Sequence, residues 1–179
     1  MTLVGGRCVK FGDSVNTDLI MPGRYLVSID PAELAKHVFE PLGPQVQARV
    51  RASKVVVAGR NFGCGSAREQ AASGLAGAGV TAVVAASFAR VFFRNATNTG
   101  LPAITQPEAA AAAQDGDDVQ VDMAAGTVTV RSAAGDAQSF PFPPYPDSLL
   151  RILDAGGLIP YVARQIAARP EEARPEEAR

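Results

Sequence analysis

The segment KVVVAGRNFGCGSAREQAASGLAGAGVTAVVAA, residues 54–86, decides the fold. Val55, Val56 and Val57 make a short, wholly apolar run of strand length, and VTAVVAA at 80–86 makes a second. Strands with no polar alternation are the kind buried on both faces. Between them SAREQAASGLAGAG at 66–79 reads as a helix. The pattern continues with SFARVFFRNATNTG at 87–100, a second helix ended by Gly100, and with LPAIT at 101–105, a third strand. Strand, helix, strand, helix, strand with short connections implies a parallel sheet with right-handed crossovers.

Working outward, LVGGRCVKF at 3–11 is a first strand and GDSVNTDLIMPGRYL at 12–26 a turn-rich polar loop containing Gly12, Asp13, Asn16 and Pro22. DPAELAKHVFE at 30–40 reads as a short helix, with Asp30 as cap, Pro31 first, and Leu34, Val38 and Phe39 on its apolar side. On the other flank an alanine-rich turn after Pro107 leads into DDVQVDM and TVTVRS, alternating runs joined by Ala124, Ala125 and Gly126, an antiparallel hairpin. PDSLLRILDAGGLIPYVARQIAA closes the fold with one or two helices interrupted at Gly156 and Gly157. The tandem pentamer RPEEARPEEAR offers almost no apolar surface to offset ordering entropy and is expected to be disordered. The expectation is an α/β centre with an added antiparallel β hairpin, one domain over 1–165 and a charged tail over 166–179.

One domain suits 179 residues, and 47% apolar content supplies a core. A net charge of −1 gives no general attraction for nucleic acid or anionic membrane, so any anion specificity is local. No apolar run approaches the roughly 20 residues of a membrane span, and MTLVGGRCVKFGDS lacks the pattern of a signal peptide. The chain therefore reads as cytoplasmic, with Cys8 and Cys64 as free thiols.

The turn NFGCGSAREQAA, residues 61–72, carries the chemistry. Ser66, Ala67, Arg68 and Glu69 match the capping box S-x-x-E, in which the serine oxygen accepts from the amide three residues on. The same geometry puts Ser66 Oγ at the positive end of a helix, among amides exposed by Gly63 and Gly65, a place for carboxylate or phosphate. Arg68 adds a planar cationic fork whose charge opposes the helix dipole, a local rule broken without structural gain. A phosphate-binding loop needs a lysine that GRNFGCGSA lacks, and a dinucleotide fingerprint needs glycine where Arg68 stands and an acid about 20 residues on, where VVAAS has none. Nothing pairs Cys64 with the single histidine, His37, so Cys64 reads as a small structural thiol. Two cysteines and one histidine cannot supply three thiolates for an iron–sulfur cluster.

NFGCGSAREQA resembles the NFGCGSSREHA signature of the small subunits of 3-isopropylmalate dehydratase and homoaconitase, the swivelling domain of the aconitase superfamily. GDSVNTDLIMPGRYL is similar to that family's GDNIDTDQIIPARYL, and VTAVVAASFARVFFRNATNTGLPAI and GGLIPYVARQ resemble its second strand and helix and its closing helix, so the similarity spans about residues 7–165. The resemblance implies a swivelling β/β/α domain and a hydro-lyase split between chains. A large subunit would carry a [4Fe–4S] cluster, with no metal bound by this chain, and the pair would interconvert 2- and 3-isopropylmalate as in leucine biosynthesis, only when assembled. It makes Ser66 the general base and Arg68 the carboxylate grip, with Gly65, Tyr25, Leu26 and Val27 at the substrate. Two positions depart from the pattern. Ala67 replaces a second serine, removing one hydrogen bond of about 0.5–1.5 kcal/mol, and Gln70 replaces a histidine and cannot titrate near neutrality. Val27 in YLVS falls where homoaconitases carry arginine, which favours isopropylmalate, against the plainer reading of a half-buried loop valine. The alternatives are a homoaconitase small subunit acting on homocitrate and homoaconitate, and a non-catalytic anion- or nucleotide-binding domain.

Overall fold

Every residue of the strands inside the two valine-rich runs, Val55–Ala58 and Ala82–Ala85, is buried, and the structure around them explains why they carry no polar alternation. The computed structural model describes residues 3–168. Strand β1 (Leu3–Lys10) leads through helix α1 (Thr17–Ile20), a 3-10 turn at Gly23–Tyr25, α2 (Pro31–Ala35), a second 3-10 turn at Glu40–Leu42 and α3 (Pro44–Ala52) to β2 (Val55–Ala58). Then follow α4 (Glu69–Gly77), β3 (Ala82–Ala85), α5 (Arg90–Asn98), β4 (Ala103–Thr105) and α6 (Pro107–Ala112). The chain ends with β5 (Asp118–Asp122), β6 (Thr127–Arg131), β7 (Ala137–Pro141), α7 (Asp147–Asp154) and α8 (Leu158–Ala167).

All seven strands form one mixed sheet in the order β4-β3-β2-β1-β5-β6-β7. Strand β1 is its seam, parallel to β2 with Val9 opposite Val56 and antiparallel to β5 with Val4 opposite Val121. One face of the parallel half, through Val9, Val56 and Val83, packs on Ile20, Leu34, Leu75 and Phe92 of the crossover helices. The opposite face, through Val55, Val57 and Val84, packs with Val119, Val121 and Val128 of the antiparallel half and with α6 and α7. The expected parallel centre and hairpin are both present, and the interruption at Gly156 and Gly157 separates α7 from α8.

Five local readings change. The loop over 12–26 is not simply polar: it contains α1 and buries Val15, Ile20 and Met21 completely or nearly so, because it crosses under α4. The helix begun by Asp30, which caps the Ala32 amide at 2.9 Å, stops at Ala35, since Phe39 takes a left-handed φ of 55° to bury its ring. Residues 44–52, unassigned by pattern, are helix α3. The alanine-rich turn is helix α6, capped by the Gln106 side chain on the Glu108 amide. The hairpin gains a third strand, β7, whose largely exposed side chains leave no alternating signal. Helix α8 ends at Ala167, and the RPEEARPEEAR segment lies outside the described residues. Among the described residues no helix is long and apolar enough to cross a membrane.

Candidate active site

Two connections leave the carboxyl ends of parallel strands β1 and β2, where open α/β sheets place their ligands. They are laced to one another by backbone: Ser14 N–H donates to the Arg60 carbonyl at 2.7 Å, Gly63 N–H to Val15 at 2.8 Å and Thr17 N–H to Cys64 at 2.8 Å. The Thr17 hydroxyl then donates to the Ser66 carbonyl at 2.9 Å. This close passage depends on two glycines with φ of +75° and +93°. A Cβ on Gly63 would stand 2.2 Å from Phe92 Cγ, and one on Gly65 2.4 Å from Asn16 Oδ1.

The lacing overturns the expected capping role of Ser66. Helix α4 begins only at Glu69, and its N-cap is Arg68, in extended conformation with no side-chain capping bond. Held at its carbonyl by Thr17, Ser66 stays three residues ahead of the helix and is exposed. Its hydroxyl has no hydrogen-bond partner among the described residues, and no acceptor there pairs with the N–H groups of Ser66, Ala67, Arg68 or Glu69. A free hydroxyl among uncommitted donors before a nine-residue helix suits a bound anion.

Arg68, in contrast, is largely buried, with 13% of its side chain exposed. Its Nη1 donates to the Met21 carbonyl at 2.9 Å and pairs with Asp18 Oδ1 at 2.5 Å. Its Nε is buried without a partner. A guanidinium fixed by one nitrogen and left with a desolvated donor is prepared for a carboxylate, since an unmet buried donor is costly. Asp18 has no signal in the sequence, because nothing local links it to an arginine 50 residues later.

The third component is the loop over 23–29, which runs beside Arg68: a Cβ on Gly23 would lie 3.7 Å from Nη2. The Gln70 side-chain amide donates to the Leu26 carbonyl at 3.2 Å. Tyr25 stacks on His37 with ring centroids 3.6 Å apart and donates its hydroxyl to Glu40 Oε2 at 2.7 Å. Beyond this anchor Val27 is 94% exposed, so the half-buried alternative is wrong. The structure therefore brings Gly65, Ser66, Arg68 and the 25–27 segment to one side of the sheet.

His37 is engaged by Glu40 at 2.8 Å and by Tyr25 and has no link to Cys64. Both cysteines are free, and burial pushes the Cys8 thiol up to about 11, where it is an inert structural group donating to the Gln114 carbonyl at 3.1 Å. Among the described residues no three His, Cys, Asp or Glu side chains gather as metal ligands.

Residues 43–109 match the family model described as the aconitase C-terminal domain. A 3-isopropylmalate dehydratase small subunit of Moorella thermoacetica is 47% identical over 92% of this chain and 97% of that protein. A methanogen homoaconitase small subunit of Methanothermobacter thermautotrophicus is 46% identical over 92% and 93%. The crystal structure of a 3-isopropylmalate dehydratase from Methanocaldococcus jannaschii superposes with a TM-score of 0.78 at 38% identity, covering 92% of this chain and 96% of that one.

Proposed function

The chain belongs to the family of 3-isopropylmalate dehydratase small subunits, and from that premise we propose that it forms, with a large subunit, a hydro-lyase isomerising 2- and 3-isopropylmalate by dehydration and rehydration. A chain with two cysteines cannot supply the three thiolates of a [4Fe–4S] cluster, so in this reading the cluster is the large subunit's. What this chain supplies is the proton acceptor, the carboxylate grip and part of the substrate wall.

The observation that carries the reading is the placement of an unpartnered, exposed Ser66 two residues from the buried, unpartnered Nε of Arg68. Arg68 takes the substrate carboxylate. Ser66 Oγ, as alkoxide, removes the proton from the carbon beside that carboxylate, and as hydroxyl returns it in the reverse direction. A serine hydroxyl titrates far above neutrality, and each unit of lowering requires about 1.4 kcal/mol of preferential alkoxide stabilisation. The free amides from Ser66 to Glu69 are the donors at hand, and they gain strength once a second chain excludes water from this open face. Gly65 allows backbone to approach the substrate without a side chain in the way, and Tyr25 and Leu26 set Val27 in the wall.

Relatives acting on isopropylmalate and homoaconitate are nearly equally similar, at 47% and 46%, so overall identity does not choose the substrate. Val27 does. An exposed valine covers the three carbons of an isopropyl group, worth roughly 2 kcal/mol at about 0.8 kcal/mol per carbon, whereas a distal carboxylate there would lose water and gain no partner.

The test is turnover of the chain reconstituted with its large subunit. Ser66→Ala is expected to lower kcat roughly 10²–10⁴-fold while leaving the unfolding midpoint unchanged, because Ser66 caps nothing. Near wild-type turnover in that variant would remove Ser66 from the chemistry.

A further inference from the structure

The recognition loop has no regular structure beyond one 3-10 turn, yet two distant elements reach out to hold it. Glu40 is the hub. Its carboxylate accepts from the Tyr25 hydroxyl at 2.7 Å, approaches His37 Nδ1 at 2.8 Å and pairs with Arg24, whose guanidinium lies 4.9 Å from the Tyr25 ring centroid. These contacts, the tyrosine bond first, hold the Glu40 carboxyl down at about 2. Backbone geometry aims the hub. Phe39, fully buried and stacked on Phe11, takes a left-handed φ of 55° and donates its N–H to the Ile20 carbonyl at 2.9 Å, which turns the chain so that Glu40 meets the loop. A bulky residue in that region is strained and persists only where its surroundings hold it. From the opposite side Gln70, on the first turn of the helix that follows Arg68, grips the Leu26 carbonyl. Past these anchors Val27 and Ile29 stand 94% and 89% exposed.

We infer that Glu40 and Gln70 are positioning residues for substrate recognition: together they clamp Arg24, Tyr25 and Leu26 so that Val27 is presented at a fixed place beside Arg68. This rests on the reading of Val27 as the residue that faces the substrate side chain. Glu40 touches no substrate in this scheme; it acts through Tyr25 and Arg24. Gln70 ties the loop to the helix that follows the carboxylate grip, a second link beside the bond from Arg68 to the Met21 carbonyl, so grip and wall are held together at both ends of the segment 21–26. The position that departs from the family's histidine is therefore a geometric part, not an acid or base.

Two readouts decide this. In the full chain, Glu40→Ala is expected to speed backbone amide exchange at residues 24–28 and leave the core amides of β2 and β3 unchanged. In the reconstituted pair, it should raise KM for isopropylmalate roughly tenfold, as expected when the competent loop becomes a minor population, with kcat within about twofold. Glu40→Gln, which keeps an acceptor for Tyr25, should recover most of the lost affinity, and Gln70→Ala should reproduce the KM effect from the other side of the loop. Unchanged exchange at 24–28 in Glu40→Ala overturns the clamp. Faster exchange with an unchanged KM overturns its role in recognition. A wild-type pair that turns over neither isopropylmalate nor homoaconitate would sink the functional reading instead, and the exchange rates would still decide the clamp.

Discussion

The turn over 63–68 and the loop over 23–29 lie side by side, but the first is held by its own backbone and the second by side chains reaching from elsewhere. In the turn, Gly63 and Gly65 occupy left-handed positions against Phe92 and Asn16 where no Cβ fits, and two backbone bonds lace it to Val15 and Thr17. In the loop, Tyr25 and Leu26 are held through Glu40 and Gln70. The first arrangement leaves no room for a side chain at Gly63 or Gly65 and suits the chemical step proposed for it. The second lets the exposed residue at position 27 change without disturbing the frame, which suits the substrate-selecting part proposed for it.

The strongest way to break the comparison is to place a methyl group in the turn. Gly63→Ala is expected to cost about 2–4 kcal/mol of stability, from overpacking against Phe92 and from left-handed backbone on a residue with a Cβ. A urea unfolding midpoint equal to wild type would show that the turn yields. Next comes Val27→Arg, which should leave that midpoint unchanged and shift the ratio of kcat/KM for isopropylmalate over homoaconitate toward homoaconitate roughly 30-fold, the equivalent of the roughly 2 kcal/mol assigned to the isopropyl contact. An unchanged ratio would mean that position 27 does not read the side chain.

The smallest effect comes from pH. Glu40 has its carboxyl lowered from 4.5 to about 2, so the native state binds its proton less readily than the unfolded chain does. Its stabilising contribution is therefore complete above pH 4.5 and fades as pH falls from about 4.5 to about 2. The stability difference between wild type and Glu40→Gln should shrink across that window, as measured by denaturant titration at each pH. A constant difference would show that the charge on Glu40 contributes nothing to the clamp.

How legible these regions are follows the same division. The alternation of buried strands and helices from Val55 to Thr105 can be read directly, because each apolar run is a local pattern and short connections leave few ways to arrange it. The serine, the arginine and the glycines of the turn are equally visible. The S-x-x-E signal at Ser66 misleads for a physical reason: the capping box is a preference of about 1 kcal/mol, and the bond from Thr17 together with the Asn16 contact at Gly65 holds the chain extended past it. Strand β7 escapes because an exposed strand lacks alternation.

By itself, then, the sequence determined the α/β order, the antiparallel addition and the residues that could handle an anion, since propensity, period and glycine placement are written in neighbouring residues. Only the tertiary structure decided that Ser66 is free and not a cap, that Asp18 fixes Arg68, and that Glu40 and Gln70 hold the loop that presents Val27. Each of these joins groups between 15 and 50 residues apart, and such pairings exist only once packing has brought distant segments within hydrogen-bond reach, which no local pattern encodes.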